Sequence, residues 1–119
     1  EPFPIYGGDD MRTFCYIEDA ARAMRLLMDS EKTDNRPIET VHIGDMEEVT
    51  MHELLDKVFK VANWKPKQIE EKEGQKGSVA RRLADISKIK NLVGWEPKVS
   101  LDEGLKLTYE WYKNNKKKV

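Results

Sequence analysis

Phe3-Pro4-Ile5-Tyr6-Gly7-Gly8-Asp9-Asp10-Met11-Arg12-Thr13-Phe14-Cys15-Tyr16-Ile17-Glu18-Asp19 is the stretch on which the reading of this chain turns. Phe3–Tyr6 is short and apolar and runs into two glycines and two aspartates, a strong turn signal after a strand. Thr13–Ile17 is rich in β-formers and predicts a second strand. Asp19 is placed to cap a helix, its carboxylate accepting from the first free N–H groups. Ala20, Ala23, Met24, Leu27 and Met28 then share one face at three- and four-residue spacing. Strands feeding helices within so short a span point to an α/β fold.

The pattern continues outward. A polar loop is expected over Asp29–Pro37, then a compact strand at Thr40–Ile43 closed by Gly44. Thr50 and Glu53 form a capping-box pair at the start of a helix whose buried face is Leu54, Leu55, Val58, Phe59 and Ala62. Lys65–Ser78 is charged and irregular, with a short edge strand near Gln68–Glu70. Asp85 caps a further helix lined by Ile86, Ile89, Leu92 and Val93, and Gly94 suits the left-handed position after its end. Trp95-Glu96-Pro97 turns the chain into Ser100–Glu103, a second capping box, which opens a helix carrying Leu101, Leu105, Thr108 and Tyr109. Four main helices alternate with three or four short strands. Such strands do not make a self-contained sheet with both faces covered, so the sheet is incomplete alone.

Composition narrows the function. Hydrophobic residues make up 39% and charged residues 36% of 119 residues, and no apolar run is long enough to span a membrane. The first residues carry neither a basic patch nor an apolar core, so they do not read as a secretory signal. One cysteine, Cys15, offers neither a disulfide nor metal-ligand spacing, in keeping with a reducing cytoplasm. Residues 1–60 hold 7 Lys/Arg against 14 Asp/Glu, and residues 61–119 hold 14 against 8. Much of that basic excess lies in the lysines of residues 113–118. Without interleaved aromatics or a reading motif it does not point to nucleic acid.

Several segments, in order, resemble the extended short-chain dehydrogenase/reductase superfamily, specifically its NAD-dependent nucleotide-sugar epimerases, dehydratases and decarboxylases. Phe3-Pro4-Ile5-Tyr6-Gly7 is similar to the family's apolar-Pro-Ile-Tyr-Gly strand. Arg12–Asp19 resembles its Arg-x-Phe-x-Tyr-Val-x-Asp segment, and Val41-His42-Ile43-Gly44 its Tyr-Asn-Ile-Gly strand. Ala84–Lys88, Val93–Pro97 and Ser100–Leu105 are similar to its closing signature. The resemblance covers nearly the whole chain and implies that residues 1–119 form the carboxy-terminal, nucleotide-sugar-binding region of an extended Rossmann-type epimerase. It implies as partners a nucleoside diphosphate sugar and the chain's own amino-terminal Rossmann half. NAD would be bound by the full-length enzyme and not by this chain alone.

The resemblance also implies site residues. Arg12 matches a phosphate-contacting arginine, and its place after a glycine-rich turn would let the guanidinium fork onto phosphate oxygens; the competing reading pairs it with Asp9 or Asp10. Pro4 and Tyr6 match positions that pack against base or ribose, or else are ordinary strand residues. Gln75 stands where many relatives carry a second phosphate-binding arginine, a role that Lys76, Arg81 or Arg82 would otherwise take. Arg82 matches a position that can face the sugar. The turn from Tyr6 to Arg12 is one residue shorter than the usual pattern. Asp19 reads as structural, Cys15 as a small core residue, and His42 and His52 as structural or exposed. Trp95, Trp111 and Tyr112 read as core or helix anchors.

No catalytic residue is expected within the chain. Hydride chemistry needs a glycine-rich dinucleotide turn and a Tyr-x-x-x-Lys pair, and Tyr109 to Lys113 meets that spacing only formally, in the closing helix. Two alternatives remain: a non-catalytic nucleotide-binding module, or a protein-interaction module built on the amphipathic helices. An unpaired sheet edge near Val41–Ile43 would favour self-association into a homo-oligomer.

Overall fold

The computed structural model describes residues 1–30 and 40–116. Among them lie four helices and four short strands, arranged in two compact units that each draw on separated stretches of chain. The expected α/β class with small, incomplete sheets is what the chain forms.

The first unit takes Glu1–Arg12, Glu48–Arg82 and the chain from Asp102 onward. Strand β1 (Phe3–Tyr6) pairs in parallel with an exposed strand at Ile69–Lys72, Phe3 facing Ile69 and Tyr6 facing Lys72. After β1, Gly7 adopts φ +59°, and its carbonyl accepts the Asp10 N–H at 2.9 Å. A side chain at Gly7 would run into the Asp10 carboxylate, so this turn needs glycine on two counts. Strand β2 (Met11–Arg12) pairs antiparallel with β3 (Val49–Thr50).

Helix α2 (Met51–Ala62) starts on the expected capping box. Glu53 N–H donates to Thr50 Oγ1 at 3.1 Å, and Thr50 N–H donates back to Glu53 Oε2 at 3.4 Å. The helix buries Phe59, which meets the rings of Phe3 and Trp64 edge-on at centroid distances of 5.6 and 5.8 Å. Val58, expected on the inner face, is exposed instead. The strand at Ile69–Lys72, here β4, lies slightly later than the expected Gln68–Glu70.

The second unit takes Thr13–Glu47 and Leu83–Leu101. Helix α1 (Ile17–Met28) and helix α3 (Ser87–Val93) enclose a core of Ala23, Ile89 and Trp95, each fully buried. Cys15, Leu26, Leu27, Val41, Ile43, Ile86 and Val93 pack around it. Met24 and Met28, expected on the buried stripe of α1, face outward, and Leu26 takes a place inside. Gly94 closes α3 with φ +70° as expected, whereas Asp85 is not its N-cap: that position is Ile86, and Asp85 accepts the Ser87 N–H at 2.9 Å from one residue earlier. Helix α4 (Leu101–Asn114) begins at Leu101, whose side chain is buried, and its remaining residues belong to the first unit. There Trp111 and Tyr112 are exposed rather than anchored.

Three expectations are corrected. Thr13–Tyr16 forms no strand; β2 ends at Arg12, because β-forming side chains make a strand only where a neighbour supplies the ladder. Val41–Ile43 likewise forms no strand among the described residues, and its apolar side chains pack on the core instead. Asp19 is not an N-cap. The helix starts earlier, at Ile17 with Tyr16 as N-cap, and Asp19 sits inside the first turn. Most of the polar loop expected after Asp29, and the end of the lysine tail, lie outside the described residues.

Candidate functional site

Arg12 closes the two-residue strand β2, and its direction is set by the chain that returns beside it. Met11 N–H donates to Ala80 O at 2.7 Å and Arg82 N–H to Met11 O at 3.2 Å, so residues 80–82 run alongside β2. On that support the Arg12 guanidinium donates to Val79 O at 2.6 Å, to Ser78 Oγ at 3.1 Å and to Met11 O at 2.8 Å. A guanidinium carries five N–H donors, so these bonds fix its plane without exhausting it. Asp10, the partner weighed from sequence, stands 4.0 Å away, beyond hydrogen-bond distance.

A cleft of about 210 Å³ opens at this point, lined by Tyr6, Asp10, Arg12, Met51, Gly74, Gln75 and Ser78. Of the five residues implied by the resemblance, Tyr6, Arg12 and Gln75 come together here. The other two do not. Pro4 is exposed on β1 and lines a separate groove with Trp64, Lys65 and Gln68, while Arg82 is exposed outside the cleft lining. Met51 and Ser78 were not singled out from the sequence, and Asp10 was weighed there only as part of the turn and as an ion-pair partner of Arg12. Nothing local ties Ser78 to an arginine 66 positions earlier.

The charges around the cleft are partly spoken for. Arg81, one of the alternatives for a second phosphate contact, is locked in a two-pronged pair with Glu48 at 2.6 and 2.8 Å. That hydrogen bond holds the Glu48 carboxyl below its ordinary range and raises the Arg81 guanidinium. Lys72 Nζ lies 5.7 Å from the centre of the exposed Tyr6 ring, at cation–π distance.

The other candidate groups are accounted for by structure. Burial first, then the charges of Asp19 and Asp45, push the Cys15 thiol up, the opposite of what a nucleophile needs. His52 Nε2 lies 3.1 Å from Glu71, and His42 is exposed. Among the described residues no group of three His, Cys, Asp or Glu side chains is gathered to hold a metal. Tyr109 and Lys113 sit on the exposed side of α4 in a depression shared with Lys57, Lys60, Lys106 and Glu110. No helix among the described residues is long and apolar enough to cross a membrane.

The sequence matches the family described as GDP-mannose 4,6 dehydratase over residues 1–108. It is 39% identical over 108 residues to a putative GDP-L-fucose synthase 2 of Arabidopsis thaliana, a match covering 91% of this chain and 31% of that protein. With the dTDP-glucose 4,6-dehydratase of Salmonella typhimurium it shares 33% identity over 123 residues, covering 97% and 33% respectively. Among solved structures, the UDP-glucose 4-epimerase of Thermotoga maritima with UDP-glucose superposes with a TM-score of 0.83 at 34% identity. That match covers 97% of this chain and 36% of the epimerase. The dTDP-glucose 4,6-dehydratase of Bacillus anthracis in complex with NAD gives a TM-score of 0.81 at 27% identity, covering 98% and 36%. The chain thus spans about a third of the length of the curated relatives it matches. It belongs to the NAD-dependent epimerase/dehydratase family of extended short-chain dehydrogenases/reductases, of which it represents the carboxy-terminal part.

Proposed function

We propose that this chain is the nucleoside diphosphate sugar-binding part of a cytoplasmic NAD-dependent epimerase or dehydratase. The observation that carries the reading is the Arg12 guanidinium, braced by Ser78 and Val79 in one cleft with Tyr6 and Gln75. A braced guanidinium meets phosphate oxygens with little rotamer entropy left to lose. Tyr6 offers a ring face at the same cleft for ribose or base, and Gln75 a neutral donor. Pro4 and Arg82, standing outside the cleft, contribute only if the ligand extends past it.

Among the described residues no glycine-rich turn opens a helix in the way NAD needs. A dinucleotide's pyrophosphate is received by a glycine-rich turn that opens a helix, whereas Gly7-Gly8 leads from β1 into β2. The cofactor, which supplies transient hydride transfer, and the Tyr-x-x-x-Lys acid–base pair are therefore assigned to the Rossmann half of a longer parent protein. This chain's contribution is to hold the diphosphate, and thereby orient the sugar for chemistry done elsewhere.

Calorimetric titration of the full-length protein with UDP-, GDP- and dTDP-sugars tests the reading. One of these binds, and Arg12→Ala weakens it about tenfold or more, the scale of hydrogen bonds to a charged group. Absence of binding by all three, or equal binding by the variant, would overturn it. Binding without turnover by the full-length protein would favour a non-catalytic nucleotide-binding module.

A further inference from the structure

The cleft holds a carboxylate as well as a guanidinium. Asp10 lines it beside Arg12, with its side chain 23% exposed and its Oδ2 4.0 Å from the guanidinium. At that distance the two are electrostatic neighbours without a hydrogen bond. Among the described residues no group donates a hydrogen bond to this carboxylate; the backbone of Asp10 is bonded to Gly7 and Met51, while the side chain has only its ionic neighbour Arg12. It lies against Gly7 and Gly74, which carry no side chains to cover it. The pair formed by Asp10 and Arg12 is therefore open on the side of the cleft.

An ionised carboxylate only accepts hydrogen bonds. Beside a phosphate it is repulsive, so the part of a nucleotide that meets Asp10 must present donors. The vicinal hydroxyls of a ribose do so as an adjacent pair, matching the two oxygens of one carboxylate. The cleft volume of about 210 Å³ is below the roughly 300 Å³ at which whole-ligand pockets begin. It suits a pentose with the adjoining phosphate, and the exposed ring of Tyr6 gives the nucleoside side an apolar wall.

We propose that Asp10 accepts the 2′- and 3′-hydroxyls of the ligand's ribose while Arg12 takes the diphosphate, so that the site selects ribonucleoside over 2′-deoxyribonucleoside diphosphates. The inference rests on the cleft being the nucleotide-sugar site and names the substrate class that site accepts. Asp10 acts on the ligand directly, and its role in the turn is carried by its backbone.

The test is competition binding to the full-length protein with UDP against 2′-deoxy-UDP, and GDP against 2′-deoxy-GDP, for wild type, Asp10→Asn and Arg12→Ala. These probes carry no hexose, which separates ribose contacts from sugar contacts. Wild type binds the ribonucleotide about tenfold or more tightly than its deoxy counterpart, as expected for a hydroxyl lost from a charged acceptor. Asp10→Asn, with an unchanged circular dichroism spectrum and melting temperature, reduces that ratio to within about threefold. An unchanged ratio in Asp10→Asn, or no ribose preference in wild type, overturns the inference even where Arg12→Ala weakens binding. If Arg12→Ala leaves all four probes unaffected, it is the reading of the cleft that fails.

Discussion

The carboxylate of Asp19 and the backbone N–H of Val99 meet at 2.9 Å, and the same Oδ2 accepts the N–H of Lys98 at 3.0 Å. The other oxygen, Oδ1, is 3.3 Å from Arg22, and the Asp19 carbonyl accepts Trp95 Nε1–H at 2.9 Å. One buried residue in the first turn of α1 thus satisfies three donors from the loop after α3. Asp19→Ala leaves the Lys98 and Val99 N–H groups without their acceptor, and a cost of about 1–3 kcal/mol is expected. Urea unfolding reads this directly; an unchanged midpoint would show that the loop finds other acceptors.

The same carboxylate makes stability depend on acid. Burial alone raises the Asp19 carboxyl, but the N–H groups of Val99 and Lys98 and the Arg22 guanidinium outweigh it and hold the group below its ordinary range. A depressed carboxyl contributes stability that is fully present above its unfolded value, about 3.9, and lost as pH falls through the folded value. The denaturation midpoint should therefore fall more steeply below about pH 4 in wild type than in Asp19→Asn. Parallel pH profiles for the two proteins would contradict this.

Gly94 gives a test free of packing. Its φ is +70°, and a Cβ added there would meet nothing within 4 Å. Gly94→Ala should cost about 1–2 kcal/mol through backbone strain alone. Gly94→Asn should cost less, since asparagine tolerates the left-handed region. Equal thermal shifts for the two substitutions would count against the assignment.

Trp95 fills the second core with its whole side chain and donates one hydrogen bond from it. Trp95→Ala should cost about 3–5 kcal/mol. Trp95→Phe keeps most of the buried area and forfeits the bond to the Asp19 carbonyl, which sets an additional loss of about 1 kcal/mol beyond the volume change. Chemical denaturation of both variants separates the contributions, and a phenylalanine variant as stable as wild type would mean that the indole N–H is not needed.

Features that depend on a few adjacent residues were legible in the sequence. The capping box of Thr50 and Glu53 and the left-handed Gly94 each close within four residues, so local chemistry determines them. Thr13–Tyr16 misled because β-propensity reports a fit to a sheet surface, while the ladder partner sits elsewhere in the chain. Asp19 misled for a related reason: an aspartate near a helix start has a local role available, but its acceptors are used by residues 79 and 80 positions away. Arg12, Tyr6 and Gln75 were identifiable through ordered motifs. Met51 and Ser78, and the place of Asp10 in the cleft rather than in a closed pair with Arg12, became visible only when the return of residues 78–82 beside β2 brought them together.

The interleaving of the two units has a consequence for how the chain is made. Strand β1 has its only partner among the described residues at Ile69–Lys72, and the fully buried Ala23 waits for Ile89 and Trp95. Neither unit is complete when its opening segment emerges, so no native nucleus is finished early and both close late across long loops, at the entropic cost that loop length imposes. A chain released after about residue 80 would leave Ala23 without Ile89 and Trp95, the other members of its core. Folding of this region thus waits for the distant segments that carry these partners.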